Sequence, residues 1–214
     1  MNLHQNPDND SFKTLEGSSE AVLKVLGSKF LAFALPIASS EEALAIWRLQ
    51  QKTFHDATHH CFAYRLNSES AGVRYNDDGE PAGTGGRPIL AAIDHAGLLD
   101  VIVIVVRYFG GTKLGVGGLA RAYGEAAKAA ISQGKVKQCF RMEFVAITFS
   151  HHLTSPVMRT IADNGARVLE SSYDHAAHLR VEIRSSLCHS FTDALVEATH
   201  GGVVIEGSPP STGQ

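Results

Sequence analysis

Long apolar runs are missing from this sequence. No stretch approaches the roughly 18 to 20 consecutive apolar residues that a transmembrane helix needs. The polar start, residues 1–10, also lacks the apolar core of a signal peptide. We therefore expect a cytoplasmic protein with no membrane partner.

Cysteine is scarce as well. Cys61, Cys139 and Cys188 are odd in number and far apart, and no Cys-x-x-Cys pair occurs. This spacing indicates neither a disulfide framework nor a zinc ribbon. Reduced, mostly buried thiols are expected, with no metal and no cofactor.

The chain has no large excess of charge of one sign. Its formal net charge of −3 argues against a protein that coats nucleic acid by charge alone. The charge is unevenly distributed, however, because residues 101–123 contain Arg107, Lys113 and Arg121 and no acidic residue. This segment predicts a locally positive surface.

The length predicts two domains. A chain of 214 residues exceeds the usual size of a domain with a single core. The polar segment 135–138 follows a helix stop at Gly134 and is the predicted boundary. We expect a first domain over 12–135, a second over 138–207, and flexible tails at 1–11 and 208–214.

Apolar patterns in the first domain predict two hairpins, three helices and one buried strand. The hairpins are expected at 21–26 with 29–36, and at 61–66 with 72–76. The helices are expected after Ser39 or Ser40, from Pro88 to Gly97, and along an apolar stripe from Leu119 to Ile131 with Gly134 at its C′ position. The unbroken apolar run 101–106 predicts a strand buried on both faces.

The second domain has the predicted order strand, helix, strand, strand, helix, strand. Its third strand is the best patterned, because Leu179, Val181 and Ile183 alternate with charged residues. This βαββαβ order is that of ferredoxin-like domains. The predicted fold class is therefore α+β.

The segment 107–118 combines glycines with positive charge. Its glycines let backbone N–H groups approach a ligand closely, and a following helix N-terminus favours an anion such as phosphate. The alternative is that the glycines only make a tight connection. A Walker A motif is excluded because Leu119 follows Gly118, and a dinucleotide site is poorly supported because eight residues separate Val106 from Gly115.

Three carboxylates occur together in Asp77-Asp78-Gly79-Glu80-Pro81. They could hold a divalent metal or act as acid and base, but such a cluster is more often a solvated turn, which we favour. His59 and Cys61 share a strand face, and a hydrogen-bonded structural histidine beside a buried cysteine is favoured over a zinc site.

Further arginines could extend the positive surface. Arg65 and Arg74 are expected to face each other across the second hairpin, with ordinary pairing to Glu69 or Asp77 as the alternative. Arg121 could instead be neutralised by Glu125, four residues further on.

Three stretches carry a resemblance to a known family. Residues 55–65, 77–84 and 107–123 closely resemble the IMPACT (YigZ) family, and with their intervals they cover about residues 12–134. One departure is Gly85, where the family often has Ala; we expect it only to loosen that turn.

The resemblance implies a fold and a cellular context. It implies a first domain like domain 2 of ribosomal protein S5 and a second like domain V of elongation factor G. Eukaryotic relatives regulate translation by competing for an activator of a stress kinase, through contacts that include domains absent here. The resemblance thus implies a link to RNA, ribosomes or a translation-related protein.

The predicted function is a non-enzymatic module that binds RNA or the ribosome and modulates translation, with no catalytic residue assigned. The predicted phosphate contacts are side chains and glycine backbones of one surface: Arg65, Arg74, Arg87, Arg107, Gly110, Gly111, Lys113, Gly115, Gly117, Gly118 and Arg121. Other residues predicted for this surface are His59, Asp77, Asp78, Glu80 and Tyr108. The alternatives are an enzyme or small-molecule binder for a phosphorylated ligand, and a protein-protein adaptor in translational stress control.

Overall fold

The computed structural model describes residues 10–67 and 72–207. The chain divides into two compact units, Lys13–Gln138 (the first unit) and Met1–Phe12 with Cys139–Gln214 (the second unit). Most of the predicted tails, 1–9 and 208–214, lies outside the described residues, as does most of the loop of the second predicted hairpin. The predicted N-terminal tail is slightly too long, because Ser11 already begins a strand.

Up to residue 140 the chain forms seven strands and three helices among the described residues. In order they are β1 (Ser11–Leu15), β2 (Ser19–Val25), β3 (Ser28–Pro36), α1 (Ser40–Thr53), β4 (His59–Arg65), β5 (Val73–Asn76), α2 (Gly86–Ala96), β6 (Val101–Tyr108), α3 (Gly115–Gln133) and β7 (Val136–Phe140). An antiparallel sheet has the strand order β2-β3-β6-β4-β5, and β1 pairs with β7 in a two-stranded sheet.

The central strand β6 is buried on both faces. Val101, Val103 and Val105 belong to the core that contains residues of α2 and α3, whereas Ile102, Ile104 and Val106 belong to the core on the α1 side. Because alternate side chains of a strand point to opposite faces, an apolar run without alternation is what such a position requires. The predicted burial of this strand is confirmed.

The helix ends show where local chemistry sets the boundaries. Ser39 caps α1 by accepting a hydrogen bond from the amide of Glu42, and Gly97 ends α2 in the left-handed conformation at φ 65°. Helix α2 begins at Gly86, so Pro88 is its third residue and not its first. Gly134 is extended, with φ −79°, and does not form the predicted C′ cap; a Cβ there would lie 2.8 Å from Leu15 Cδ2.

The second unit continues with β8 (Met142–Phe149), α4 (Thr154–Asp163), β9 (Arg167–Tyr173), β10 (Ala177–Arg184), α5 (Cys188–Ala198) and β11 (Val203–Gly207). These strands form an antiparallel sheet in the order β11-β8-β10-β9, and the predicted order of elements is observed. The two units divide between Gln138 and Cys139, at the end of the predicted boundary segment 135–138, and this segment is part of strand β7 from Val136 onwards. None of the helices in the described ranges is long and apolar enough to cross a membrane.

Candidate functional site

Strands β4 and β6 bring His59, Cys61 and Arg107 together at one end of the large sheet. His59 is directly opposite Arg107, and Cys61 is opposite Val105. Residues two apart on a strand share a face, so Arg107 follows Val103 and Val105 onto the face covered by α2 and α3. The sheet therefore directs Arg107 inwards.

Glu80 meets Arg107 inside the unit. Its Oε1 accepts hydrogen bonds from Arg107 Nη1 at 2.6 Å and from the Tyr123 hydroxyl at 2.8 Å, and His59 Nε2 lies 3.9 Å away. The Glu80 and Arg107 side chains are only 3% and 6% exposed. The pair is short and shielded from water, and Arg107 Nη2 also reaches Ser28 Oγ at 3.4 Å, whereas the buried Arg107 Nε has no hydrogen-bond partner among the described residues. Both residues thus have a structural role, and the predicted exposure of Arg107 as a phosphate contact and of Glu80 as a surface carboxylate is wrong.

Two further polar groups in this cluster are held in their neutral forms. Burial raises the pKa of the Cys61 thiol, and the nearby Glu80 carboxylate adds to this effect. Burial likewise raises the pKa of the Tyr123 hydroxyl, together with its contacts to Cys61 and Glu80. Cys61 is therefore not a reactive thiolate, and Tyr123 stays a hydrogen-bond donor to Glu80.

Asp77 organises the loop that precedes α2. Its Oδ2 accepts from the amide of Gly83 at 2.8 Å, and its Oδ1 accepts from Gly85 at 2.9 Å and Gly86 at 2.8 Å. Burial alone would raise the pKa of Asp77, but these hydrogen bonds and the charge of Arg87 together lower that pKa below its usual value. The carboxylate satisfies amides at the start of α2, which is why the helix begins before Pro88.

Asp78 joins the same loop to β4. Its Oδ2 accepts from the amide of His60 at 2.6 Å, and its carbonyl lies 2.7 Å from His59 Nδ1. Because a carbonyl can only accept, His59 carries a proton on Nδ1, and its Nε2 is directed towards Glu80. Among the residues that the structure describes, no group of three or more His, Cys, Asp or Glu is placed to hold a metal ion. The acidic motif is a loop organised by buried hydrogen bonds, and it is less solvated than predicted.

Gly85 sits against Cys61. A Cβ on Gly85 would lie 2.5 Å from Cys61 Sγ and 3.0 Å from Cys61 Cβ. The expectation that Gly85 only loosens the turn is therefore wrong, because the thiol occupies the space that an alanine methyl group would need.

The glycines after β6 fall into two groups. Gly110 contacts the backbone of Gly27 so closely that a Cβ would overlap it, and the amide of Gly110 donates to Ser28 Oγ at 3.1 Å. Added Cβ atoms on Gly111, Gly115 and Gly117 would meet nothing within 4 Å. Gly110 therefore makes a tight connection, as the alternative interpretation of the glycines predicts, whereas the glycines at the start of α3 leave an open surface.

The start of α3 has an open, uncapped N-terminus. No side chain caps it at Leu114, and its first turn contains no acidic residue. Unpaired amides at a helix start favour a negative group. Gly115, Val116 and Gly117 are exposed there, and Gly118 is half-buried.

The predicted cations differ in their surroundings. Arg74, Arg87, Lys113 and Arg121 are exposed, whereas Arg65 Nε pairs with Asp94 at 2.6 Å. Arg74 is opposite Tyr64 and Arg65 is opposite Val73, so the two arginines lie on opposite faces of the sheet and do not face each other as predicted. Glu125 pairs with Lys128, three residues on, and not with Arg121.

Two smaller features complete the surface. Tyr108 donates its hydroxyl to Asp56 Oδ1 at 2.9 Å, on the α1 side of the sheet. A groove of about 340 Å³ runs between α2 and α3, with Ala91, Ala92 and Gly124 among its small lining residues and with His95, Arg121 and Lys128 as its basic groups.

The comparisons with known proteins agree on one family. The model of the Impact N-terminal domain matches residues 26–131, and the model of a domain of unknown function (DUF1949) matches residues 147–201. A Thermus thermophilus protein named "IMPACT family member in pol 5'region" is 47% identical over 133 residues, which are 59% of this chain and 71% of that protein. The Escherichia coli IMPACT family member YigZ is 28% identical over 85% of this chain and 90% of its own length.

A yeast homologue and a solved structure also match this chain. The IMPACT homologue of Saccharomyces cerevisiae is 35% identical over 42% of this chain and 36% of its own length. A crystal structure of a hypothetical protein superposes with a TM-score of 0.73 at 25% identity, covering 94% of this chain and 99% of that one. With a close relative and both domain models matched, this chain belongs to the IMPACT family.

Proposed function

We propose that this chain is a non-enzymatic module that binds RNA or the ribosome and modulates translation. The observation that carries the proposal is the exposed segment from Gly111 to Arg121. It combines open glycines, an uncapped helix start, two exposed cations and no acidic residue. Phosphate oxygens are the natural partners of such a surface.

The structure changes the set of predicted phosphate contacts. Lys113 and Arg121 are the central contacts, and the exposed Arg87 on α2 extends them. Arg74 is also exposed, but it shares the face of Tyr64 on the α1 side of the sheet and is no longer part of this surface. Arg65 contributes less because it is paired with Asp94, and Arg107 acts indirectly by holding the loop that contains Glu80. Backbone amides of Gly115 and Gly117 are the remaining donors in the proposal.

The likeness in fold gives the proposal its cellular context. We infer that the first unit is like domain 2 of ribosomal protein S5 and the second like domain V of elongation factor G. The antiparallel sheet order β11-β8-β10-β9 with the βαββαβ sequence of elements supports the second of these assignments.

The test is equilibrium binding to ribosomes and to unstructured RNA over a salt series. Replacing Arg87, Lys113 and Arg121 by Gln should make the plot of log binding constant against log salt less steep by about 2, at roughly 0.7 per lost contact to single strands. The matched control replaces Arg48, Lys52 and Arg159 by Gln, since these exposed cations lie on α1 and α4. Equal slopes for wild type and both variants would contradict the assignment.

The groove between α2 and α3 supports a second candidate, a small phosphorylated ligand. Its volume of about 340 Å³ is at the lower end of the range of ligand pockets, and Arg121 supplies positive charge, while the charges of Lys128 and Glu125 pair with each other. A nucleotide or sugar phosphate at about 100 times its Kd should stabilise the chain by about 2.7 kcal/mol in a thermal-shift assay. If no such ligand changes the melting temperature while RNA binding remains salt-dependent, this candidate is rejected.

A further inference from the structure

Two loops meet at the end of the large sheet and present apolar side chains to solvent. Leu26 in the β2–β3 turn is 64% exposed, and Phe109 directly after β6 is 48% exposed. The backbones of Gly27 and Gly110 are in close contact, which fixes one loop against the other. Large exposed apolar side chains on adjoining rigid loops are typical of a binding surface.

Phe109 is held in position before any partner arrives. The guanidinium carbon of Arg107 lies 5.5 Å from the Phe109 ring centroid and 5.5 Å from that of Phe30. Arg107 is itself fixed by Glu80, and the Phe109 amide donates to Thr58 Oγ1 at 3.2 Å. An aromatic ring that is already ordered loses little conformational entropy when a second ring stacks on it.

Lysines surround this end of the sheet. Lys24 is directly opposite Lys29 in the β2–β3 pair, and Lys29 is directly opposite Tyr108, the residue before Phe109. Both lysines are exposed, as is Lys113 in the loop after Phe109. Like charges directly opposite each other are destabilising, and a bound anion would relieve their repulsion.

The ring and the lysine pair lie on opposite sides of the sheet end. Phe109 stacks over Arg107 on the side of α3, whereas Lys29 and Tyr108 lie on the side of α1. An extended chain that crosses the sheet end can place phosphates beside the lysines and a planar base on the ring. A double helix offers no free base face for such stacking.

We propose that this surface binds single-stranded RNA, with one unpaired base stacked on Phe109 and backbone phosphates at Lys24 and Lys29. The inference rests on the proposed function and names its substrate class. Stacking on aromatic side chains combined with a positively charged track is a general way of binding single strands without sequence preference.

The first test uses fluorescence anisotropy with three probes: an unstructured 12-nucleotide RNA, the same strand made abasic throughout, and a fully paired 12-base-pair duplex. Wild type should bind the abasic RNA about 5- to 150-fold more weakly than the intact strand, because one stacked base is lost while the phosphates remain. The duplex should also bind more weakly than the intact strand.

Substitutions test whether the difference in affinity between intact and abasic RNA depends on Phe109. Phe109→Leu keeps an apolar cover over Arg107 but removes the aromatic face, so it should bind intact and abasic RNA equally, whereas Phe109→Trp should keep the difference. Tyr173→Leu, which changes an exposed aromatic residue of the second unit, should behave as wild type. Replacing Lys24 and Lys29 by Gln should lower the salt slope by about 1.4 and leave the abasic effect in place.

The outcomes separate this inference from the proposed function. Equal binding of intact and abasic RNA by wild type, with its salt dependence kept, overturns the inference alone. No binding of any RNA or ribosome overturns both. Phe109-dependent binding to vesicles containing anionic lipid, without binding to RNA, also overturns the inference and assigns the surface to a membrane.

Discussion

Replacing Glu80 by Ala should lower the free energy of unfolding of the first unit by about 3–5 kcal/mol, because it leaves the Arg107 guanidinium buried without its partner. Arg107 is only 6% exposed and donates to Glu80 over 2.6 Å, so water cannot simply replace the carboxylate. The hydroxyl of Tyr123 would lose its acceptor in the same step.

The double variant Glu80→Leu with Arg107→Met should be much less destabilised than the sum of the two single variants. It removes both charges and fills the space with apolar atoms, and such a replacement of a buried ion pair often leaves the free energy of unfolding nearly unchanged. A coupling energy of at least about 2 kcal/mol is expected from this cycle. Glu125→Ala is the control, since its pair with Lys128 is exposed and should be worth about 0–1 kcal/mol.

Trp47 makes the assay specific for the first unit. It is the single tryptophan of the chain, and its indole N–H donates to the carbonyl of His60 at 2.8 Å. Urea unfolding followed by its fluorescence therefore reports on the unit that contains Glu80. A loss below about 1 kcal/mol for Glu80→Ala, or additive single effects, would refute the buried-pair reasoning.

Substitutions at three other places in the chain test local features by the same kind of unfolding experiment. Gly85→Ala should cost about 1–3 kcal/mol by overpacking, and adding Cys61→Ala should restore most of the loss; no rescue would show that the thiol does not set the space. Gly110→Ala should be strongly destabilising, whereas Gly117→Ala should be neutral or stabilise by up to about 1 kcal/mol. A larger loss of stability for Gly117→Ala than for Gly110→Ala would contradict the close contact between Gly110 and Gly27. Arg184 and Ser186 bond the buried Asp10 and lower its pKa to about 2, so its stabilisation of about 2 kcal/mol should be complete above about pH 4 and disappear as the pH falls through 2. Unfolding monitored by circular dichroism from pH 2 to 7 should show a flatter profile for Asp10→Asn than for wild type.

Local sequence signals were sufficient for most of the fold. The cap at Ser39 and the stop at Gly97 are each decided by nearby residues, and the structure places them as predicted. The turn predicted at Gly27-Ser28 lies one residue earlier, at Leu26-Gly27, because Ser28 already begins β3. Strand β7 was missed because four of its five residues are exposed and show no regular alternation, so only its pairing with β1 makes it a strand.

The site was harder to predict because its contacts link distant parts of the chain. Arg107 is separated from Glu80 by 27 residues and Glu80 from Tyr123 by 43, so spacing alone does not show that they meet. One signal was available, since alternation along β6 puts Arg107 on the same face as Val103 and Val105. The Lys24–Lys29 pair was also missed, because it becomes visible only once the strand register is known.

The most direct test of the central claim is the salt dependence of RNA and ribosome binding by wild type and by the Arg87, Lys113, Arg121 triple Gln variant. The account predicts binding that weakens steeply with salt, and a slope reduced by about 2 in the variant but not in the Arg48, Lys52, Arg159 control. Binding that is absent at low salt, or that is independent of these three cations, would contradict it.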